Sequence, residues 1–207
     1  MMADEEDDDC DDYSIKVILI GDSGVGKTNI INTSVGNEFN ELEMTTTAAS
    51  FSEKILEVNK KKCQLNLWDT IGQEKFRQLT RIFYNNSKIV IFVYDITRRD
   101  SFDALKDWYK DVEENIGSDI VRGVIANKMD LYFEEEVKQD EGEAFAKSIN
   151  ATFLAYSAKN KNIEEFDEFL VKLVKEYVSK EKKRTEGRFT LSRNEAFEEK
   201  KGNNCCK

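Results

Sequence analysis

The chain has 207 residues, 40% hydrophobic and 35% charged, enough for one globular domain with short tails. It contains no histidine and no proline, which closes serine–histidine and cysteine–histidine catalysis and histidine-ligated metal sites. The formal net charge of −10 argues against a nucleic-acid binder.

Asp4, Glu5, Glu6, Asp7, Asp8, Asp9, Asp11 and Asp12 crowd the first twelve residues with no base among them. Residues 1–12 therefore read as a solvated, disordered acidic tail, and they carry no basic-then-apolar signal peptide. Ile15–Ile20 is an apolar run that fits a buried strand. It leads into Gly21-Asp22-Ser23-Gly24-Val25-Gly26-Lys27-Thr28, with a helix expected from about Lys27. This is G-x-x-x-x-G-K-[ST] between strand and helix. Its glycines let the backbone N–H groups of Ser23, Gly24, Val25 and Gly26 form an anion nest at a helix N-terminus. Lys27 adds a point charge for β/γ-phosphates, and the Thr28 hydroxyl is a candidate Mg²⁺ ligand.

Phe51–Val58 and Cys63–Trp68 alternate as half-buried strands around a turn at 59–62. The second of them ends in Trp68-Asp69-Thr70-Ile71-Gly72-Gln73-Glu74. Asp69 at that strand end can hold Mg²⁺ through water, and the Gly72 N–H can approach a γ-phosphate closely. Gln73 can orient a water without acting as a strong base. A plain helix cap is the alternative for this string taken alone.

Further apolar runs at Ile89–Tyr94, Val121–Ala126 and Thr152–Tyr156 read as buried strands. Between and after them, Phe102, Leu105, Trp108/Tyr109 and Val112 keep helical spacing. So do Ile163, Phe166, Phe169/Leu170, Leu173/Val174 and Tyr177. Strands alternating with helices indicate an α/β sheet covered on both faces. Asn127-Lys128-Met129-Asp130 follows one strand, and Ser157-Ala158-Lys159 follows the last. Both loops fall on the carboxyl edge of the sheet, where open α/β sheets bind ligands. The Asp130 carboxylate can accept from guanine's N1–H and 2-amino group, whereas adenine would leave it unpaired.

Beyond Val178 the periodicity fades, so the folded unit is expected over 13–178, with a flexible tail over 179–207. In that tail nine Lys/Arg face five Glu, and Cys205-Cys206 stand near its end. Cys10, Cys63, Cys205 and Cys206 have neither metal-ligand spacing nor a disulfide framework, which suits a reduced, cytosolic-side protein. The longest apolar stretch, Ile89–Tyr94, is too short to span a bilayer.

These motifs, in this order and at these intervals, resemble the Ras-superfamily small GTPases across 13–178, with the Rab branch fitting best. The resemblance implies a P-loop NTPase three-layer fold: a six-stranded, mostly parallel sheet of order 2-3-1-4-5-6 with helices on both faces. It implies GTP/GDP as ligand and Mg²⁺ as cofactor, with Thr46 as the switch threonine joining Thr28 and Asp69 at the metal. Phe39 falls where the family stacks an aromatic on the base. Catalysis would rest on Gln73, Lys27, Thr46 and Gly72, with an arginine supplied in trans for fast turnover. Asn127, Lys128, Asp130, Ser157, Ala158 and Lys159 would recognise guanine. Cys205 and Cys206 would carry geranylgeranyl groups, two chains giving a stable anchor on the cytosolic face of intracellular membranes. Exchange factor, GTPase-activating protein, effectors and a GDP-dissociation inhibitor or escort protein are the expected partners of a switch in vesicle trafficking. The sequence departs from the Rab pattern at Thr47-Ala48-Ala49-Ser50, at Ile71 and at Asn85-Asn86-Ser87. A GTPase-like binding scaffold with impaired hydrolysis and an adenine-specific P-loop enzyme are the alternatives.

Overall fold

A computed structural model describes residues 13–41, 46, 50–70, 82–117 and 119–202, with side chains described over 14–185 of these. Six strands form one sheet: β1 (Tyr13–Ile20), β2 (Ser50–Val58), β3 (Lys61–Asp69), β4 (Ile89–Asp95), β5 (Val121–Asn127) and β6 (Thr152–Ala155). Their spatial order is β2-β3-β1-β4-β5-β6, and only β2 pairs antiparallel. The order and the mostly parallel sheet agree with what the family resemblance implies.

The central strands are apolar at every position because both faces are covered. Ile15, Val17 and Leu19 of β1 and Ile89, Ile91 and Val93 of β4 face one core. Helices α1 (Lys27–Ser34) and α5 (Ile163–Gly202) close that side through Ile30, Ile31, Phe166, Phe169, Leu170 and Leu173. The intervening residues, Ile18, Ile20, Val90, Phe92 and Tyr94, face the other core. There Phe102 of α2 (Arg99–Asp103) and Leu105, Trp108 and Val112 of α3 (Leu105–Asn115) pack on the sheet. Each of these buried side chains contributes about 1.5–3 kcal/mol of transfer free energy.

The structure adds or moves three features. The β2–β3 turn is shorter than expected. Val58 pairs with Lys61, leaving a two-residue loop in which Asn59 and Lys60 both have positive φ, 55° and 63°. That is the primed turn geometry matching strand twist. A helix that the apolar spacing did not announce, α4 (Gln139–Ser148), packs through Gly142 and Ala146, which carry almost no periodic signal. Finally, α5 does not stop near Val178 but continues to Gly202. Lys, Glu and Arg are good helix formers, and pairs such as Lys180–Glu176 (2.9 Å) and Arg184–Glu181 (3.0 Å) lie at helical spacing. Arg184 also meets Asp119 at 2.9 Å, so this extension touches the domain.

Because β1, β3, β4, β5 and β6 run parallel, their carboxyl ends share one edge of the sheet. The loops after β1, β5 and β6 and the end of β3 converge there.

Candidate functional site

A cleft of about 240 Å³ opens at that edge. Its lining includes Ser23, Gly24, Gly26, Lys27, Thr28, Phe39, Thr46, Asn127, Lys128, Asp130, Ala158 and Lys159. These positions come from five separate stretches of the chain, and the fold brings them to one place.

At one end lies the loop 21–28. Two of its glycines are obligatory. A Cβ on Gly21 would stand 2.1 Å from the Val93 carbonyl oxygen, and one on Gly26 would stand 2.3 Å from Asn127 Nδ2. Both also adopt positive φ, 147° and 96°. The loop carbonyls are taken up by side chains. Lys27 Nζ donates to the Gly21 and Asp22 oxygens at 2.9 Å each, Arg98 Nη1 to Ser23 O at 2.8 Å, and Asn127 Nδ2 to Val25 O at 2.8 Å. A trans peptide points its C=O and N–H in opposite directions, so fixing these carbonyls aims the intervening N–H groups the other way. That is the condition for an anion nest. Lys27 is buried, and desolvation pulls its ammonium down to about 8 despite the opposing fields of Asp69 and Asp22. An anion in the nest would relieve that penalty.

Beside the loop, three hard oxygens come together. Thr28 Oγ1 lies 2.8 Å from Thr46 Oγ1 and donates to Asp69 Oδ2 at 2.7 Å, while Thr46 Oγ1 donates to the same oxygen at 3.2 Å. Two hydroxyls and one carboxylate suit an oxygen-seeking divalent cation that keeps several waters, so the donor set fits Mg²⁺. Asp69 is buried at the end of β3, and its neighbour Thr70 ties that end to β1 through Oγ1 to Leu19 O at 2.6 Å.

The other end is assembled by cross-links between loops. Besides holding Val25, Asn127 accepts the Ala158 N–H at its Oδ1 (3.3 Å), joining the phosphate-side loop to the loop after β6. Ser157 Oγ donates to Asp130 Oδ1 and orients that carboxylate at the cleft wall. Lys128 takes left-handed backbone (φ 67°), and its ammonium lies 2.6 Å from Asp95 Oδ2. Phe39 packs partly buried against the core while lining the cleft. Lys159–Glu41 and Lys161–Glu38, both at 3.4 Å, span the lips on either side of it.

Three residues of this architecture carry no site signal in the sequence: Arg98, Trp108 and Asp95. Trp108 Nε1 donates to Asp22 Oδ1 at 2.8 Å, and Arg98 reaches Ser23. Trp108 is spaced as a core anchor, and it is one, fully buried, but its indole N–H serves the loop. Gly72, Gln73, Cys205 and Cys206 lie outside the described residues, as do Ile71 and residues 47–49.

The sheet order, the phosphate-loop geometry and the oxygen triangle define a P-loop α/β protein. The Ras family sequence model matches residues 16–178. Among its relatives is Ras-related protein Rab-21 of Bos taurus, 43% identical over 154 residues, covering 74% of this chain and 69% of that protein. Rab-21 of Homo sapiens matches at the same identity with 68% of that protein covered. Ras-related protein Rab-8B of Homo sapiens is 39% identical over 155 residues, covering 74% of this chain and 75% of that one. The chain belongs to the Ras family, as a Rab-type small GTPase, a class of GTP hydrolases.

Proposed function

We propose that this protein is a GTP-driven switch that binds GTP and GDP in the cleft at the carboxyl edge of the sheet, hydrolyses GTP slowly, and acts on membranes in vesicle trafficking. The observation that carries the reading is the phosphate loop with its carbonyls held by side-chain donors, standing directly beside the Thr28–Thr46–Asp69 oxygens. The backbone N–H groups of Ser23, Gly24, Val25, Gly26, Lys27 and Thr28, with the Lys27 ammonium, hold the phosphates. The Thr28 and Thr46 hydroxyls and Asp69 would hold Mg²⁺, which neutralises phosphate charge and supports phosphoryl transfer. Asp130, held by Ser157, accepts from the guanine edge, Asn127 ties the phosphate loop to the loop of Ala158 and Lys159 that closes that wall, the Lys128 stem forms its floor, and Phe39 covers the base.

In hydrolysis the Gln73 amide orients the attacking water and the Gly72 N–H engages the γ-phosphate, roles that follow from the family resemblance. Positioned dipoles and cations, not an imidazole, supply the transition-state stabilisation. Loss of the γ-phosphate frees Thr46 and Gly72, and the loops that carry them change order. Exposed Phe51 and Ile55, four residues apart on one face of β2, offer an apolar surface suited to effectors that read this change. No helix among the described residues is long and apolar enough to cross a membrane, so attachment falls to geranylgeranyl groups on Cys205 and Cys206. Exchange factors, GTPase-activating proteins and a GDP-dissociation inhibitor or escort protein are the partners of that cycle.

Single-turnover GTP hydrolysis tests the reading, with Gln73→Leu as comparison. Slow phosphate release in the parent protein, further depressed in Gln73→Leu, is expected. Phosphate at background in both, with GTP still bound, would leave a binding scaffold in place of the enzyme.

A further inference from the structure

The tip of the phosphate loop is held differently from its two ends. At Gly21 and Gly26 the backbone is wedged against Val93 and Asn127, so packing fixes its course. At Gly24 (φ +77°) the atom nearest to the place of a Cβ is Arg98 Nη1, at 3.6 Å. Packing leaves this peptide room to turn. The carbonyl of this peptide, that of Ser23, accepts a hydrogen bond from Arg98 Nη1 at 2.8 Å. Holding that carbonyl outward aims the Gly24 N–H of the same peptide into the cleft.

Arg98 is built to do this. Its guanidinium is forked onto Asp100, with Nε to Oδ1 at 3.3 Å and Nη2 to Oδ2 at 2.9 Å, which leaves Nη1 for the loop. Its own backbone is fixed at the end of β4. The N–H donates to Asp95 O at 3.0 Å, and the carbonyl accepts from Ser101 Oγ at 2.7 Å. Arginine remains charged at any physiological pH, and its planar fork suits two partners at once. Trp108 of α3 donates its indole N–H to the Asp22 carboxylate, so two successive residues of the loop are gripped from this side.

We propose that Arg98 is a positioning residue for the phosphate loop: through Ser23 it sets the direction of the Gly24 N–H toward the terminal phosphates, and so sets how long a nucleotide stays bound. The proposal rests on the reading that this loop holds a nucleotide. It is tested on the full chain loaded with a fluorescent GDP, by dissociation rate, and with GDP, by ³¹P resonance positions. Losing a hydrogen bond from a charged donor, Arg98→Ala should release GDP about tenfold faster. The phosphate resonances should shift as the N–H loses its aim. Arg98→Lys restores a single donor and should recover part of both effects, and Asp100→Asn, which loosens the fork, should fall between Arg98→Ala and the parent.

An Arg98→Ala protein with parental release rate and unmoved ³¹P lines overturns the proposal. So does equal acceleration in Arg98→Ala and Arg98→Lys with unmoved lines, a pattern of lost stability rather than lost aim. A parent protein that fails to bind GDP would instead defeat the nucleotide reading beneath it.

Discussion

At the phosphate end of the cleft the loop is gripped by buried or half-buried donors at 2.8–2.9 Å: Lys27, Arg98 and Asn127. At the base end the lips meet through Lys159–Glu41 and Lys161–Glu38, both 3.4 Å apart and exposed to solvent. Short, desolvated hydrogen bonds keep their strength, whereas exposed ion pairs are weak and screened by salt. The phosphate end is therefore preorganised, and the base end is the part able to open. Recognition of charge is fixed in the fold, while entry and exit are left to contacts worth little.

The largest effect should come from removing the charge at the rigid end. Lys27→Met deletes a buried ammonium facing the phosphates and orphans two loop carbonyls. Nucleotide affinity should fall by about two to three orders of magnitude, read by competition with fluorescent GDP. The same ammonium gives a pH signature. Burial holds it down at about 8, and phosphate oxygens beside it favour the charged form, so nucleotide binding should raise its pKa. GDP binding at pH 8.5 should thus take up a proton, and affinity should fall as pH rises through 8. Calorimetry in two buffers of different ionisation enthalpy measures the uptake. An enthalpy independent of buffer would show that Lys27 is already fully charged before the ligand arrives.

Asp130→Asn comes next and separates base recognition from phosphate binding. It should lower GTP affinity by about a hundredfold, because an acceptor for two donors is lost, and turn preference toward xanthine nucleotides. Phosphate contacts are untouched, so XTP should recover most of the affinity. Unchanged GTP affinity would remove Asp130 from the guanine wall.

How much of this could be read beforehand follows from how local each signal is. The sheet was legible because Ile15–Ile20, Ile89–Tyr94 and Val121–Ala126 are buried on both faces and are apolar without interruption. The phosphate loop was legible because its glycines and Lys27 act within eight consecutive residues. Helix α4 was not, since Gly142 approaches Tyr94 and Phe153 by having no side chain at all. Arg98 and Trp108 were not, because their partners lie 75 and 86 residues away and nothing in their own neighbourhood names a loop. The extension of α5 was missed because a solvated Lys/Glu/Arg face carries no apolar period, although its ion pairs keep helical spacing.

The smallest effect should appear at the lips, and it is the one that tests the contrast between the two ends most directly. Glu38 and Glu41 flank Phe39, so each ion pair holds the covering aromatic by one side. An exposed pair contributes about 0.2–1 kcal/mol, so Glu38→Gln with Glu41→Gln should speed GDP release roughly two- to fivefold. Release from the parent protein should accelerate with added salt, and release from the double variant should respond less, since the screened attraction is already gone. Affinity for inorganic pyrophosphate, which engages only the rigid end, should be the same in both proteins. Equal salt dependence in the two would move the gate away from these pairs, leaving the packing of Phe39 against the core as the contact that must break.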